Sequence, residues 1–230
     1  MNRHLKRITA PRSWNVTRKT TAFLIRPHPG AHAMERGMPL ALLLRDYTKH
    51  AGTMAELKSI LNQKTVMVDG IRRKDPKNIV GLMDVISIKE AKENLRLILN
   101  KTGQLTAVPI SDKEALIKPK KIINKTKVAQ GKTQINLFDG TNLILTEDKA
   151  GYKTGDTILV EHPNKIVGHL KLQKGALAYI IGGKHTGEVA TVESADEKGV
   201  VVKGKAGEYR CSKKHIFVIG EKELCITIPD

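Results

Sequence analysis

Two cysteines and a histidine near the end of the chain are the first side chains that could do chemistry, as ligands of a metal ion. Cys211 and His215 are four residues apart, and Cys225 follows them. A structural zinc site takes four such ligands, and here the fourth ligand and any C-x-x-C pair are missing. The sequence therefore predicts no metal and two idle or buried thiols, and two cysteines also exclude a disulfide-dense secreted scaffold.

A glycine-rich segment, Gly182-Gly-Lys-His-Thr-Gly187, could hold a phosphate group. It lacks the Gly-x-x-x-x-Gly-Lys-Ser/Thr spacing of a nucleotide-binding loop, and no G-x-G-x-x-G follows a predicted strand. His50 and His162 have no recognisable acid or base partner nearby in sequence. The sequence therefore predicts no enzyme, no cofactor and no small-molecule substrate.

The chain has a large excess of positively charged side chains. Its 230 residues include 40 Lys or Arg and 23 Asp or Glu, which gives a formal net charge of +17. Charge of this size predicts a polyanionic partner, either nucleic acid or an anionic membrane surface. No stretch is long enough for a transmembrane helix, and the basic N-terminus has neither a secretory apolar stretch nor an amphipathic helix. We therefore expect a cytoplasmic protein that binds nucleic acid rather than a membrane.

The excess charge is concentrated in residues 1–36, which carry eight Lys or Arg and a single acid, Glu35. Proline in this density favours extended backbone and blocks a long helix. The segment alone cannot bury enough apolar surface to fold, so we predict an arm that becomes ordered on a phosphate backbone. The alternative is a solvated tail, but such a tail would have no use for the rings of Trp14, Phe23 and His28. Those rings could stack on bases or pack on a neighbouring domain.

Two short helices and a hairpin follow the arm. Pro39 suits a first helical position, apolar residues continue at helical spacing to Tyr47, and Gly52 ends the helix. A capping box at Thr53 opens the second helix, Asp69-Gly70 marks a tight hairpin turn, and residues 81–88 read as one apolar strand. This order resembles the S-four-type RNA-binding module. The alternative is an ordinary helical hairpin with solvated lysines.

The remainder of the chain alternates short apolar runs with turn residues, as is typical of compact β domains. The segment 174–192 consists of a strand, a glycine loop with a basic tip, and a second strand. It is similar to the KOW motif of RNA-associated SH3-like barrels, in which the loop glycine permits close backbone approach. The alternative is a plain β-hairpin.

The order of these pieces resembles one family, the small-subunit ribosomal protein family four of archaea and eukaryotes. The closest local match is His4-Leu-Lys-Arg-Ile-Thr-Ala-Pro-Arg-Ser-Trp14, and further matches are Arg36–Arg45, Val68–Gly70, Gly81–Ile88 and Phe217–Gly220. The chain lacks the longer basic tail of eukaryotic members, which favours an archaeal source.

The resemblance implies an α+β fold that is mostly β. We expect a basic Pro-containing N-terminal arm (1–37), a small α/β S-four-type RNA-binding module (38–92), a central β domain (93–170) and a C-terminal SH3-like KOW barrel with a short tail (171–230). It also implies a structural, non-catalytic role in the ribosome, with small-subunit ribosomal RNA and neighbouring ribosomal proteins as partners. The alternatives are a free RNA-binding factor, the targeting module of an RNA-modifying enzyme, and a regulator whose KOW barrel binds protein.

The candidate RNA-binding residues are mostly cations, because shape and phosphate contacts dominate recognition of double-stranded RNA. Arginine can hold a phosphate in a two-pronged contact, whereas lysine is a mobile point charge. The candidates are Arg3, His4, Lys6, Arg7, Arg12, Trp14, Arg18, Lys19, Arg26, Arg36, Arg45, Lys49, Lys58, Lys64, Arg72, Arg73, Lys120, Lys121, Lys174, Lys184 and His185.

Overall fold

The computed structural model shows a mostly β chain with few helices. It describes residues 4–145, 151–163, 165–196, 199–204, 207–221 and 223–228. The chain divides into two compact units, the first made of residues 1–116 together with residues 228–230, and the second of residues 117–227. Within the described ranges, no helix is long and apolar enough to cross a membrane.

The first unit is built on an antiparallel sheet with short helices. Its elements are β1 (Leu5–Lys6), β2 (Phe23–Leu24), β3 (Gly37–Pro39), α1 (Leu40–Leu42), α2 (Met54–Gln63), β4 (Val66–Val68), β5 (Ile71–Arg72), β6 (Ile79–Gly81), β7 (Val85–Ile88), β8 (Glu93–Leu99), β9 (Leu105–Pro109) and α3 (Asp112–Ala115). The main sheet has the order β5-β4-β7-β8-β9, and β1-β2 and β3-β6 form separate two-stranded pairs. Apolar side chains of α1, α2, β7 and β8 are buried and supply its core.

Two local predictions in this unit are confirmed. Thr53 and Glu56 form a reciprocal capping box, in which the Glu56 N–H donates to Thr53 Oγ1 at 3.2 Å and the Thr53 N–H donates to Glu56 Oε2 at 3.3 Å. These bonds satisfy orphan donors at the start of α2. Asp69 and Gly70 both adopt positive φ, +50° and +77°, as the two-residue turn between β4 and β5 requires.

The first predicted helix extends to Tyr47, where its apolar spacing ends, but only Leu40–Leu42 is α-helical. After α1 the chain forms a π-helical turn, Leu43–Tyr47, which the Thr48 N–H closes by donating to the Leu43 carbonyl at 3.0 Å. Lys49 then adopts a left-handed conformation, so the helix ends before Gly52. Pro39 lies at the end of β3 and not inside the helix. The prediction was wrong here because the turn packs against β9, a contact that sequence spacing does not reveal.

The apolar run 81–88 is not one strand. Met83 adopts a φ of +68°, and the chain turns between β6 and β7. The turn is stabilised by the Met83 N–H, which donates to the Leu97 carbonyl at 2.8 Å, and by the Gly81 N–H, which donates to Asp84 Oδ2 at 2.8 Å. A hydrophobic run hides such a turn because nearly all of its residues are buried on both sides of the turn.

The main sheet continues past residue 92, where the sequence predicts a domain boundary. β8 begins at Glu93 and pairs with β7, and β9 pairs with β8 in turn. The hydrogen bonds of this sheet therefore tie residues 93–109 to the first unit, and the two compact units divide between residues 116 and 117.

The second unit contains two five-stranded antiparallel sheets. Its strands are β10 (Ile117–Lys127), β11 (Thr133–Leu137), β12 (Asn142–Leu145), β13 (Thr157–Glu161), β14 (Lys165–Leu170), β15 (Leu177–Ile180), β16 (Val189–Asp196), β17 (Gly199–Gly204), β18 (Gly207–Cys211) and β19 (Ile216–Gly220). The sheets have the orders β12-β11-β10-β13-β14 and β18-β17-β16-β15-β19. Each has its own aliphatic cluster, around Ile122 and Ile158 in the first and around Ala178 and Val218 in the second.

The longest strand, β10, was not predicted as a strand. Its basic segment Lys118–Lys121 reads as a surface charge cluster, and Pro119 argues against a central strand. In the structure these residues pair with β13, and the segment that follows pairs with β11. β10 therefore lies at the centre of its sheet. The sequence also predicts a turn at Pro163-Asn164. Asn164 lies outside the described residues.

Candidate nucleic-acid interface

The exposed cations of the arm form the first part of the candidate interface, which we call the arm surface. It consists of Lys6, Arg12, Lys19, Arg26 and Arg36, all of them exposed. His4 is exposed beside them, and Arg3 lies outside the described residues. Since Glu35 is the only acid of residues 1–36, little negative charge within the arm opposes a phosphate here.

Two other arginines of the arm hold the arm itself together. Arg7 is buried, and its guanidinium donates to Thr21 Oγ1 at 3.0 Å and to the Thr17 carbonyl at 2.8 Å. Arg18 donates to the carbonyls of Ile8 at 2.9 Å and Ala10 at 3.0 Å. These donors are used within the arm, on backbone carbonyls and on the Thr21 hydroxyl, so the two side chains stabilise the arm and display its exposed neighbours.

Trp14 anchors the arm to the rest of the first unit. Its side chain is 1% exposed, and its Nε1–H donates to the Gly37 carbonyl at 2.8 Å. The Asn15 N–H donates to the Tyr47 hydroxyl at 2.6 Å, and burial raises the pKa of Tyr47 to about 12. Of the two roles that the sequence left open for Trp14, packing is therefore the one the structure shows.

A buried contact between a histidine and a carboxylate secures the end of the arm. His32 Nε2 lies 2.8 Å from Asp84 Oδ1, and both side chains are buried. Asp84 lies in the turn between β6 and β7, so the pair connects the arm to the sheet. The arm is thus held in place by the rest of the first unit, and most of its described cations are exposed to solvent.

The helical pair and the hairpin carry the next candidates. Lys49, Lys58 and Lys64 are exposed. Arg72 is exposed and donates to the Asn62 carbonyl at 3.1 Å, which connects β5 to the end of α2. The candidates Arg45 and Arg73 are half-buried, and the Arg45 guanidinium pairs with Asp46 at 2.6 Å, an interaction that raises the pKa of Arg45.

Further exposed lysines in the first unit were missed by the sequence reasoning. They are Lys74, Lys77, Lys89, Lys92, Lys101 and Lys113. Lys74 continues the run Arg72-Arg73, which is a readable signal. The outward position of Lys89 and Lys92 depends on the tight turn after β7, which the sequence pattern did not reveal.

Lys120 and Lys121 are buried, although the sequence placed them in a surface cluster. Lys120 Nζ lies 2.8 Å from Asp139 Oδ2, and Lys118 Nζ lies 3.4 Å from the same oxygen. Lys121 Nζ donates to the carbonyls of Lys213, Lys214 and Ile216. Buried Lys120 and Lys121 therefore act inside the second unit, and we leave them out of the interface proposed below.

Asp139 is the carboxylate that balances this buried charge. Burial opposes its ionisation, but the ammonium groups of Lys118 and Lys120 and the hydroxyl of Thr141 outweigh burial, so its pKa is lowered. A carboxylate with a lowered pKa stabilises the fold above about pH 4, and that stability is lost as the pH falls through the lowered value. The second unit is therefore expected to weaken in acid.

Asp139→Asn should lower the free energy of unfolding at pH 7 by roughly 1–3 kcal/mol, since a buried charged partner is lost. The difference in stability between the variant and the unsubstituted protein should narrow as the pH falls from about 4 toward the lowered pKa of Asp139, because the unfolded chain takes up a proton on this carboxylate while the folded protein still holds it ionised. Urea titrations at pH 7 and below pH 4 measure both effects. Asp75→Asn, at an exposed carboxylate, is the control. A gap that is independent of pH would contradict this role of Asp139.

The last candidates flank β15, with Lys174 before the strand and Lys184 and His185 in the loop after it. Lys174 and Lys184 are exposed, and Gly183 and Gly187 adopt φ values of +97° and +84° in the loop itself. His185 stacks on Tyr209 with ring centroids 3.9 Å apart and an interplanar angle of 14°. Glu188 Oε2 accepts from the Tyr209 hydroxyl at 3.1 Å and lies 3.2 Å from His185 Nδ1. Glu188 therefore holds the ring pair in place beside the cation at the loop tip.

The thiols and the charged groups near them do not assemble a metal centre. Cys211 is half-buried and Cys225 is exposed, and burial raises the pKa of both thiols. Among the described residues, no three His, Cys, Asp or Glu side chains come together in a way that could hold a metal ion.

Two family models match the chain. The model of the ribosomal family S4e matches residues 91–167, and the model of the RS4NT domain matches residues 1–35. The two matches fall on the basic arm and on the β-rich middle of the chain. They place the chain in the class of ribosomal proteins.

Full-length relatives narrow this class to one family. The small ribosomal subunit protein eS4 of Methanocella arvoryzae is 41% identical, with 95% of this chain and 94% of that protein covered. The protein of the same name from Methanococcus maripaludis is 38% identical, with 98% and 97% covered. The crystal structure of the 30S ribosomal protein S4e from Thermoplasma acidophilum matches with a TM-score of 0.70 and 30% identity, and covers 83% of this chain and 99% of that one. This chain belongs to the ribosomal protein S4e family.

Proposed function

We propose that this protein is a structural, non-catalytic constituent of the small ribosomal subunit, where it binds and stabilises ribosomal RNA in the cytoplasm. The observation that carries the proposal is the match to small ribosomal subunit proteins eS4 over nearly the whole chain. Ribosomal RNA is a polyanion, which suits a net charge of +17 and the exposed arm surface. Neighbouring ribosomal proteins are the second class of partner.

The finer architecture is part of this proposal. Residues 1–37 are the basic arm, and residues 38–92 are the S-four-type RNA-binding module, whose sheet continues into β8 and β9. Residues 93–170 are the central β domain, and residues 171–230 are the SH3-like KOW barrel with a short tail. The left-handed glycines at 183 and 187, which let the backbone approach a partner closely, support the KOW assignment.

The RNA-contacting residues of this proposal are the exposed and half-buried candidates other than Arg18, whose guanidinium is bonded to carbonyls of the arm. In the first unit they are His4, Lys6, Arg12, Lys19, Arg26, Arg36, Arg45, Lys49, Lys58, Lys64, Arg72 and Arg73, and in the second Lys174, Lys184 and His185. Lysine and arginine at these positions meet phosphate oxygens, which fixes the protein on the RNA without reading its sequence.

Sedimentation tests the function. In a sucrose gradient of cell extract, the protein should move with small subunits and remain there after a high-salt wash, at about one copy per subunit. A free RNA-binding factor, or the targeting part of a modifying enzyme, would be substoichiometric or would be found in free ribonucleoprotein. Either of those results would overturn the proposal.

The arm surface should determine the salt dependence of RNA binding. Each phosphate neutralised by a cation contributes about 0.7–0.9 to the slope of log K against log salt, so replacing Lys6, Arg12 and Lys19 with Gln should reduce the slope by about 2–3. Binding of purified protein to naked small-subunit RNA between 50 and 200 mM salt measures it.

Substitution is the appropriate test because deletion of the arm would also remove buried Trp14. The matched control replaces Lys101, Lys113 and Lys171, three exposed lysines outside the candidate set, with Gln. Equal slopes for the two triple variants would show that the arm surface has no special part in RNA binding.

A further inference from the structure

One face of the β1-β2 pair presents an aromatic ring between two basic side chains. Lys6 is the register partner of Phe23, and Leu5 is the partner of Leu24. Because side chains alternate along a strand, Lys6 and Phe23 share one face and the two leucines share the other. Leu5 and Leu24 are buried, so the face with Lys6 and Phe23 is outward.

Phe23 is 56% exposed on this face, and the His4 ring lies beside it with centroids 5.7 Å apart in a tilted arrangement. Exposed phenylalanine is not what folding alone favours, since apolar surface left in water contributes nothing to the stability of the fold. We call His4, Lys6 and Phe23 the stacking face. It lies in the most strongly basic segment of the chain.

The stacking face is held by hydrogen bonds on both sides. The Arg7 N–H donates to the Ala22 carbonyl at 3.0 Å, and the Arg7 guanidinium fixes Thr17 and Thr21. Arg18 fixes the carbonyls that follow β1. Phe23 is therefore displayed on a braced support, which reduces the entropy lost when a partner binds.

We propose that an unpaired nucleobase of RNA stacks on the exposed ring of Phe23 while Lys6 contacts its phosphate. The proposal rests on the proposed function, RNA binding, and adds the mode of contact. A flat aromatic ring among cations matches a nucleotide, which is a flat ring attached to an anion. Bases inside a duplex already stack on each other, so the partner is a single-stranded or bulged nucleotide.

Tryptophan at position 23 reports stacking directly. In the full-length protein, Phe23→Trp should show fluorescence quenching when a 12-nucleotide single-stranded oligoadenylate binds, and much weaker quenching with a 12-base-pair RNA duplex. Ile8→Trp is the matched control, because Ile8 is 74% exposed in the same braced arm and is not on the stacking face. It should show little quenching with either RNA.

Affinity gives the second measurement. Phe23→Leu keeps the apolar character but removes the aromatic ring, and should weaken oligoadenylate binding about 5- to 100-fold, whereas Phe23→Tyr should bind as the unsubstituted protein does. Lys6→Gln should instead reduce the salt slope by about 0.7. Since position 23 is exposed, all of these variants are expected to fold, which thermal unfolding checks.

The outcomes separate this proposal from the proposed function. Equal affinity of Phe23→Leu and the unsubstituted protein, or equal quenching by single-stranded and duplex RNA, overturns stacking alone, while sedimentation with small subunits stays as expected. Failure to bind either RNA at low salt overturns stacking, and failure to sediment with small subunits overturns the proposed function.

Discussion

Trp14→Ala is expected to lower the free energy of unfolding of the first unit by about 3–5 kcal/mol, as is usual when a large buried aromatic side chain is truncated. The indole is buried, and it also supplies the donor for the Gly37 carbonyl in β3. The substitution leaves a cavity and an unsatisfied acceptor together, and both effects act at the point where the arm meets the sheet.

Trp14→Phe separates the two effects. It keeps most of the apolar volume but removes the Nε1 donor, so we expect a loss of about 1–2 kcal/mol. Phe23→Ala, at an exposed position of the same arm, is the control and should change stability by no more than about 0.5 kcal/mol. Urea unfolding measures all three variants. If Trp14→Ala were as stable as the unsubstituted protein, the arm would not be anchored by this ring.

Glu114→Ala is expected to lower the free energy of unfolding by about 3–5 kcal/mol, because it leaves the guanidinium of Arg96 buried without the Glu114 carboxylate. Arg96 is fully buried in β8, and its guanidinium pairs with the Glu114 carboxylate and donates to the Glu114 carbonyl at 3.1 Å. Burial lowers the pKa of Arg96, against the attraction of Glu114 and Asp69. The pair fixes α3 against β8 of the main sheet.

The matched control for this pair is an ion pair that is more exposed, since the side chains of Arg45 and Asp46 are 26% and 30% exposed. Asp46→Ala removes the carboxylate that pairs with Arg45, and should cost only about 0–1 kcal/mol because water replaces the lost contact. The double variant Arg96→Met with Glu114→Leu should be about as stable as the unsubstituted protein, since it removes both charges together. A small effect of Glu114→Ala alone would contradict the description of Arg96 as a buried charge that needs its partner.

Local signals in the sequence predict the local structure well. The capping box at Thr53 and the turn at Asp69-Gly70 are each specified within a few residues, and both form as predicted. The turn at Met83 was not predicted, because the run around it is mostly apolar and because the Leu97 carbonyl that accepts from the Met83 N–H lies in β8. Asp84, whose carboxylate accepts from the Gly81 N–H, is the polar residue of the turn that could have signalled it.

In the candidate site, too, the features set by neighbouring residues are predicted, and those set by partners distant in sequence are not. The sequence identifies the basic character of the arm, but it does not separate cations that face water from cations that bond to the backbone. Arg7 and Arg12 look alike in sequence, yet the first is buried against Thr17 and Thr21. Lys120 is buried because its strand pairing brings it to Asp139, a partner that lies in a later turn.

The order of strands in the last sheet has a consequence for the synthesis of the chain itself. β15 lies between β16 and β19, so this sheet cannot close until Gly220 has been translated and has left the exit tunnel. The main sheet of the first unit needs nothing beyond Pro109. Since domains generally fold as units from the N-terminus during synthesis, we expect the basic arm to be displayed on a finished support while the second unit is still emerging. A nascent chain could thus engage its nucleic acid before its own translation ends.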